Sequence, residues 1–159
     1  MFKLILGYLI VYLSVFFHEL MHVLFAVIYK IPLVKIQIGV DWLQINIGKL
    51  FCSPIIGTSF VETEYEKLER LTAKQKICYY LSGAFGNLLL SIIFLAIWIY
   101  VHKYFCLTMA ALNAVMAVSS LLPFGNSDMK VLLSFLKKNT EVSQNHVFET
   151  ENCDDNDRI

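Results

Sequence analysis

Charge is scarce in this sequence. Asp, Glu, Lys and Arg make up 16% of its 159 residues while 57% are hydrophobic, against roughly 25% and 45–50% in soluble domains. A soluble domain of this length has too little interior to hide so much apolar surface, so the composition points to a membrane protein. Formal net charge is zero, and no cluster of Lys and Arg shares a helical face with interleaved aromatics, which argues against a nucleic-acid partner. The four cysteines (Cys52, Cys78, Cys106, Cys153) include no C-x-x-C pair and read as small apolar residues rather than ligands. A removable secretory signal is not expected either. The apolar run after Lys3 is about twice the length of a signal core and has no small-x-small cleavage site.

What charge there is lies unevenly. Residues 1–138 hold 12 Lys/Arg and 7 Asp/Glu, and residues 139–159 hold 1 and 6. The first part reads as a membrane-embedded core. The acidic tail, 139–159, has little apolar content and no periodicity, so it is expected to be disordered.

Three apolar runs, 4–29, 77–101 and 105–122, are long enough to cross a bilayer, the last with a broken extension to 136. After Pro32, Val34, Ile36 and Ile38 alternate with polar residues or glycine, and so do Leu43, Ile45 and Ile47. Period two reads as short strands, and Ile-Gly at 38, 47 and 56 suggests a small hairpin or meander. The charged stretch from Glu62 to Lys76 reads as a surface helix or a loop. The expected fold is therefore an α-helical membrane protein with a three-helix transmembrane core and a small β unit after the first helix.

His18-Glu19-Leu20-Met21-His22 puts three titratable side chains inside the first apolar run. On a helix, His18 and His22 project from one face, one turn apart, at a spacing that lets both imidazoles ligate one metal. Glu19 can reach a metal-activated water without competing as a ligand, so the pattern reads as one zinc ion with its own general base, as in zinc metallopeptidases. Two packed histidines and a solvated glutamate are the plain alternative. The insertion cost of an ionisable residue at membrane depth, about 2.5–3.5 kcal/mol, weighs against it.

Two further segments bear on the same site. The second span carries Ser82, Gly83, Gly86 and Asn87; small residues suit close helix packing, and the Asn87 amide serves either packing or substrate contact. Pro123 to Asp128 interrupts the third run. Asp128 is the single acidic residue between Glu69 and Glu141 and the natural third metal ligand, the alternative being an ordinary turn aspartate. Residues 30–76 carry seven Lys/Arg and the 102–104 turn carries one, which predicts a cytoplasmic 30–76 connection and C-terminus and an outer N-terminus. His18 and Asp128 then lie about 16 and 13 Å from the cytoplasmic ends of their segments.

In three segments the chain resembles the site-2 protease family of zinc intramembrane metalloproteases. His18 to His22 followed by Ala26 is similar to its first motif, and Ser82-Gly83-Ala84-Phe85-Gly86-Asn87 to its small-Gly-Pro-x-x-Asn element. Ser120-Leu121-Leu122-Pro123 with Asp128 is similar to its Asn-Leu-Leu-Pro segment ending in Asp-Gly. Pro54 to Gly57 falls where that family has a Pro/Gly-rich stretch after membrane-associated strands. Met21, Ala84, Ser120 and Met129 depart from the pattern, and none removes a ligand or the base.

The resemblance implies that His18, His22 and Asp128 hold one Zn2+, that Glu19 is the catalytic base, and that Asn87 positions substrate or the oxyanion. It implies hydrolysis of a membrane-embedded or membrane-proximal segment of a protein or peptide substrate in the cell membrane, with regulation left to a membrane partner. Rival readings are a zinc transporter or sensor, and a catalytically silent scaffold. Because a helical substrate must unwind before attack, an exposed strand edge between Val34 and Ile47 is expected to pair with it.

Overall fold

The computed structural model describes residues 2–123, 127–135 and 137. Helix α1 spans Phe2–Ile28, α2 Tyr65–Glu69, α3 Ala73–Val101 and α4 Tyr104–Leu121. Among the described residues, α1, α3 and α4 are long and apolar enough to cross a membrane. A further helical segment covers 128–135. The expected tail at 139–159 and residues 124–126 of the expected break lie outside the described residues.

The helix ends follow from local sequence. Lys30 adopts a left-handed conformation, and the Ile31 N–H donates to the Ala26 carbonyl at 2.8 Å while Lys30 N–H donates to Val27 at 3.1 Å. These two bonds satisfy carbonyls that the last turn would leave bare, and Pro32 prevents the helix from resuming. At the start of α3, Thr72 and Gln75 form a reciprocal capping box, satisfying two amides that have no helical acceptor. Helix α3 thus starts inside the stretch read as a surface helix or a loop.

Four short strands follow α1: β1 Leu33–Ile38, β2 Ile45–Ile47, β3 Leu50–Cys52 and β4 Ser59–Thr63. Ile47 pairs with Leu50 across Gly48-Lys49, and Gly48 has positive φ, as a two-residue hairpin turn requires. The sheet order is β2-β3-β1-β4, so the hairpin lies to one side and β1 pairs in parallel with β3 and antiparallel with β4. This corrects one expectation. Ile36 lies in an interior strand and offers no docking edge, whereas Ile45 lies on the β2 edge. The other edge is β4, which sequence reading did not pick out as a strand; its last two residues, Glu62 and Thr63, fall in the stretch read as a surface helix or a loop.

The sheet lies along α1. The Tyr8 hydroxyl donates to the Pro54 carbonyl at 2.5 Å and accepts from the Ile56 amide at 2.9 Å, while the Ser59 hydroxyl donates to Glu19 Oε1 at 2.6 Å. Tyr8 and Glu19 are about 16 Å apart along the helix axis, so the turn between β3 and β4 runs beside the middle of α1.

The 128–135 segment is held by its apolar face. Leu132 and Phe135 are buried with Ala26, Ile31, Leu68, Tyr79 and Tyr80. The Phe135 ring lies 5.8 Å from Tyr80 and 5.9 Å from Tyr65, with Lys76 Nζ 5.3 Å from its centroid. Truncation of a buried aromatic typically costs about 3 kcal/mol or more. Phe135→Ala should therefore release this segment to limited proteolysis in detergent before α1 and α3 melt, and an unchanged digestion pattern would show that it is anchored by something else.

Candidate active site

Helix α1 presents Ser14, Glu19, Met21, His22 and Ala26 on its buried side and leaves Leu13, Leu20, Leu24 and Val27 exposed on the other, as a helix with one protein face and one lipid face should. Glu19 is 4% and His22 5% exposed. The two imidazoles lie edge to face, with centroids 5.1 Å apart. Asp128, at the start of the 128–135 segment, closes the cluster: its Oδ2 is 3.3 Å from His18 Nε2 and 3.4 Å from His22 Nε2. The three side chains offer ligand atoms that all lie within 4.8 Å of one another.

This donor set fits zinc. Bonds of about 2.0–2.1 Å in tetrahedral geometry put neighbouring ligand atoms about 3.3 Å apart, and two imidazole nitrogens with one carboxylate leave a fourth position open, as in catalytic sites. Burial works against the charged form of Asp128, but hydrogen bonds from His18 and His22 outweigh it and hold the carboxyl below its ordinary range. The carboxylate is the form in which it would ligate a metal.

Helix α3 supports both histidines from behind. His22 Nδ1 lies 3.0 Å from the Tyr79 carbonyl and 3.1 Å from Ser82 Oγ, and Ser82 itself donates to that carbonyl at 2.7 Å. A carbonyl only accepts, so Nδ1 of His22 carries a proton, and Nε2, which faces Asp128, is the ring atom left to ligate a metal. Asn87 contacts His18 Nδ1 at 3.0 Å. Gly83 permits the approach: a Cβ there would lie 2.6 Å from His22 Nε2 and press on the His18 ring. Met21 fills the space over Gly86, where a Cβ would come within 2.5 Å of Met21 Cγ.

A cavity of about 550 Å³ opens above the cluster. Ser59, Phe60 and Val61 of β4 line one wall and Met116, Ser119 and Ser120 of α4 another, with His18, Glu19, His22 and Asp128 also on its surface. The cluster and its contacts therefore come from α1, β4, the N-terminal half of α3 and the segment after α4, with α4 lining the cavity. Sequence reading did not single out Ser59 or Tyr79; a backbone carbonyl and a lone serine in a strand carry no motif.

The sequence profile of peptidase family M50 matches residues 6–151. The chain belongs to that family, the site-2 proteases. No curated protein and no solved structure matches it. As an M50 peptidase it is a hydrolase from a family of metalloproteases, and its three apolar helices make it a membrane protein.

Gly83 provides a test of the ligand geometry in this peptidase. Gly83→Ala should displace one or both imidazoles and lower the metal content of the purified protein by several-fold, whereas Gly7→Ala, where a Cβ meets nothing within 4 Å, should not. Equal metal content in the two variants would mean that the rings have room to retreat.

Proposed function

We propose that the chain is a zinc endopeptidase that cuts substrates within or beside their membrane segments. One observation carries this reading. The buried carboxylate of Glu19 lies beside the three candidate ligands on a helix able to span a bilayer, at a cavity large enough for an unwound peptide. A zinc carrier would use the ligands but has no need of the glutamate.

His18, His22 and Asp128 would hold the ion. Zinc supplies Lewis acidity toward water and the scissile carbonyl. Glu19 takes the proton of the attacking water and returns it to the leaving amine. Ser59 fixes one oxygen of Glu19 by donating to it at 2.6 Å, which leaves the other oxygen for water.

A helical substrate hides its carbonyls in i to i−4 bonds and must unwind before attack. Once unwound, its bare amides need partners, because the bilayer offers none. Strand β4 is an edge of the sheet, and its Ser59 touches the base, so a substrate strand added to β4 would run past Glu19 with its amides paired. Substrates with Gly, Pro, Asn or Ser near the cut unwind most readily. The charge asymmetry of the loops supports cleavage toward the cytoplasmic side, with the N-terminus outside and the C-terminus inside. The proposal extends to a regulatory membrane partner as a source of control.

Cleavage of a co-expressed membrane-anchored test substrate checks the chemistry. Glu19→Gln should reduce turnover on the order of 10²- to 10⁴-fold with metal content unchanged, whereas His22→Ala should lose the metal. A glutamine variant that still turns over would remove Glu19 from the mechanism.

The strand edge has its own test. Successive amides of a strand point to opposite sides, so of Phe60→Pro and Val61→Pro one removes an outward N–H and the other a ladder bond to β1. The outward variant should raise KM for the test substrate several-fold without changing metal content. Wild-type KM in both variants would exclude β4 as the docking edge.

A further inference from the structure

Asn87 is 0% exposed. It borders the cavity, and its amide is engaged with the back of a histidine. Its nearest polar neighbour is a candidate metal ligand: the amide nitrogen lies 3.0 Å from His18 Nδ1, and Oδ1 is buried without a hydrogen-bond partner. We propose that Asn87 is a positioning residue for His18, accepting the Nδ1 proton on its amide oxygen when Nε2 holds the metal.

The argument turns on which ring nitrogen carries the proton. With the amide nitrogen toward His18, Nδ1 must offer a lone pair, and the ring proton moves to Nε2, the atom that faces Asp128. Such a ring can bond Asp128 but cannot ligate through Nε2. A half-turn of the amide exchanges oxygen and nitrogen in nearly the same space. Oδ1 then accepts from Nδ1–H, Nε2 is free for a metal, and the oxygen that lacked a partner has one. Metal ligation through Nε2 and the oxygen-inward amide therefore favour each other.

The two histidines differ in this respect. His22 is held by a backbone carbonyl, which can only accept, so its tautomer does not depend on a side chain. His18 relies on Asn87, and Asn87 lies one turn beyond Gly83 on α3, where the helix passes closest to both rings. Acceptors behind a ligating histidine commonly change metal affinity by about 10- to 100-fold.

This inference rests on the zinc reading above, and equilibrium metal binding tests it without recourse to activity. Zinc affinity of the full chain in detergent would be measured by competition with a chromogenic chelator. Asn87→Leu, similar in size and unable to accept, should weaken zinc about 10- to 100-fold. Asn87→Asp, which can only accept, should bind zinc as tightly as wild type or more tightly. Asn113→Leu serves as the control for loss of a buried amide: Asn113 is also 0% exposed with an unpartnered Oδ1, but it bonds the Met109 carbonyl rather than a ligand, and its replacement should leave zinc affinity unchanged. The proposal is overturned if Asn87→Leu binds zinc like wild type, or if Asn87→Asp weakens it; the aspartate variant decides the matter should the leucine variant fail to fold. A wild-type protein with no zinc affinity would instead overturn the zinc reading itself.

Discussion

Polar atoms on a membrane-spanning helix must find their partners inside the protein, because lipid supplies none. Helix α1 carries His18, Glu19 and His22 in the middle of an otherwise apolar run, and the surrounding elements can be understood as answers to that demand. Helix α3 supplies the Tyr79 carbonyl, Ser82 and Asn87 behind the two rings. Strand β4 supplies Ser59 to the glutamate. The 128–135 segment supplies Asp128 in front. An ordinary helix packing distance of 8–10 Å would leave less scope for such short polar contacts, which is why the small residues of α3 cluster at its contact with α1.

The same demand explains the position of the sheet. A carboxylate that is 4% exposed needs a donor, and the donor comes from an edge strand rather than from another helix. That choice has a consequence for chemistry: residues of β4, an edge strand, line the same cavity as the base and the candidate ligands. Tyr8, bonded twice to the turn that precedes β4, ties the far end of the sheet to α1. The base and the strand edge beside it are thus referenced to one helix.

The departures from the family pattern are absorbed by packing rather than by new chemistry. Met21, at a position where glycine is common in the resemblance, lies over Gly86 and is buried there. Ser120 bonds its hydroxyl back to the Met116 carbonyl at 3.0 Å, a local arrangement that needs no partner from another element. Both substitutions leave the ligand atoms of His18, His22 and Asp128 within reach of one another.

Local periodicity and spacing were enough to place three spanning helices, strands after the first of them, and two histidines with a glutamate on one helical turn, because these properties repeat over a few residues and do not depend on distant contacts. Asp128 was legible from the break in the third run, from its isolation as an acidic residue and from the resemblance of its segment to a family motif; that it meets both imidazoles depends on Leu132 and Phe135 docking the segment that carries it. The sheet order was not legible, since parallel pairing of β1 with β3 and the addition of β4 on the other side are decided by long-range hydrogen bonds. Asn87 shows the division most clearly. The sequence determined that an amide at membrane depth needs a partner, and only the tertiary structure decided that this partner is the back of His18, because α3 crosses α1 closely enough at Gly83 to bring them within a hydrogen bond.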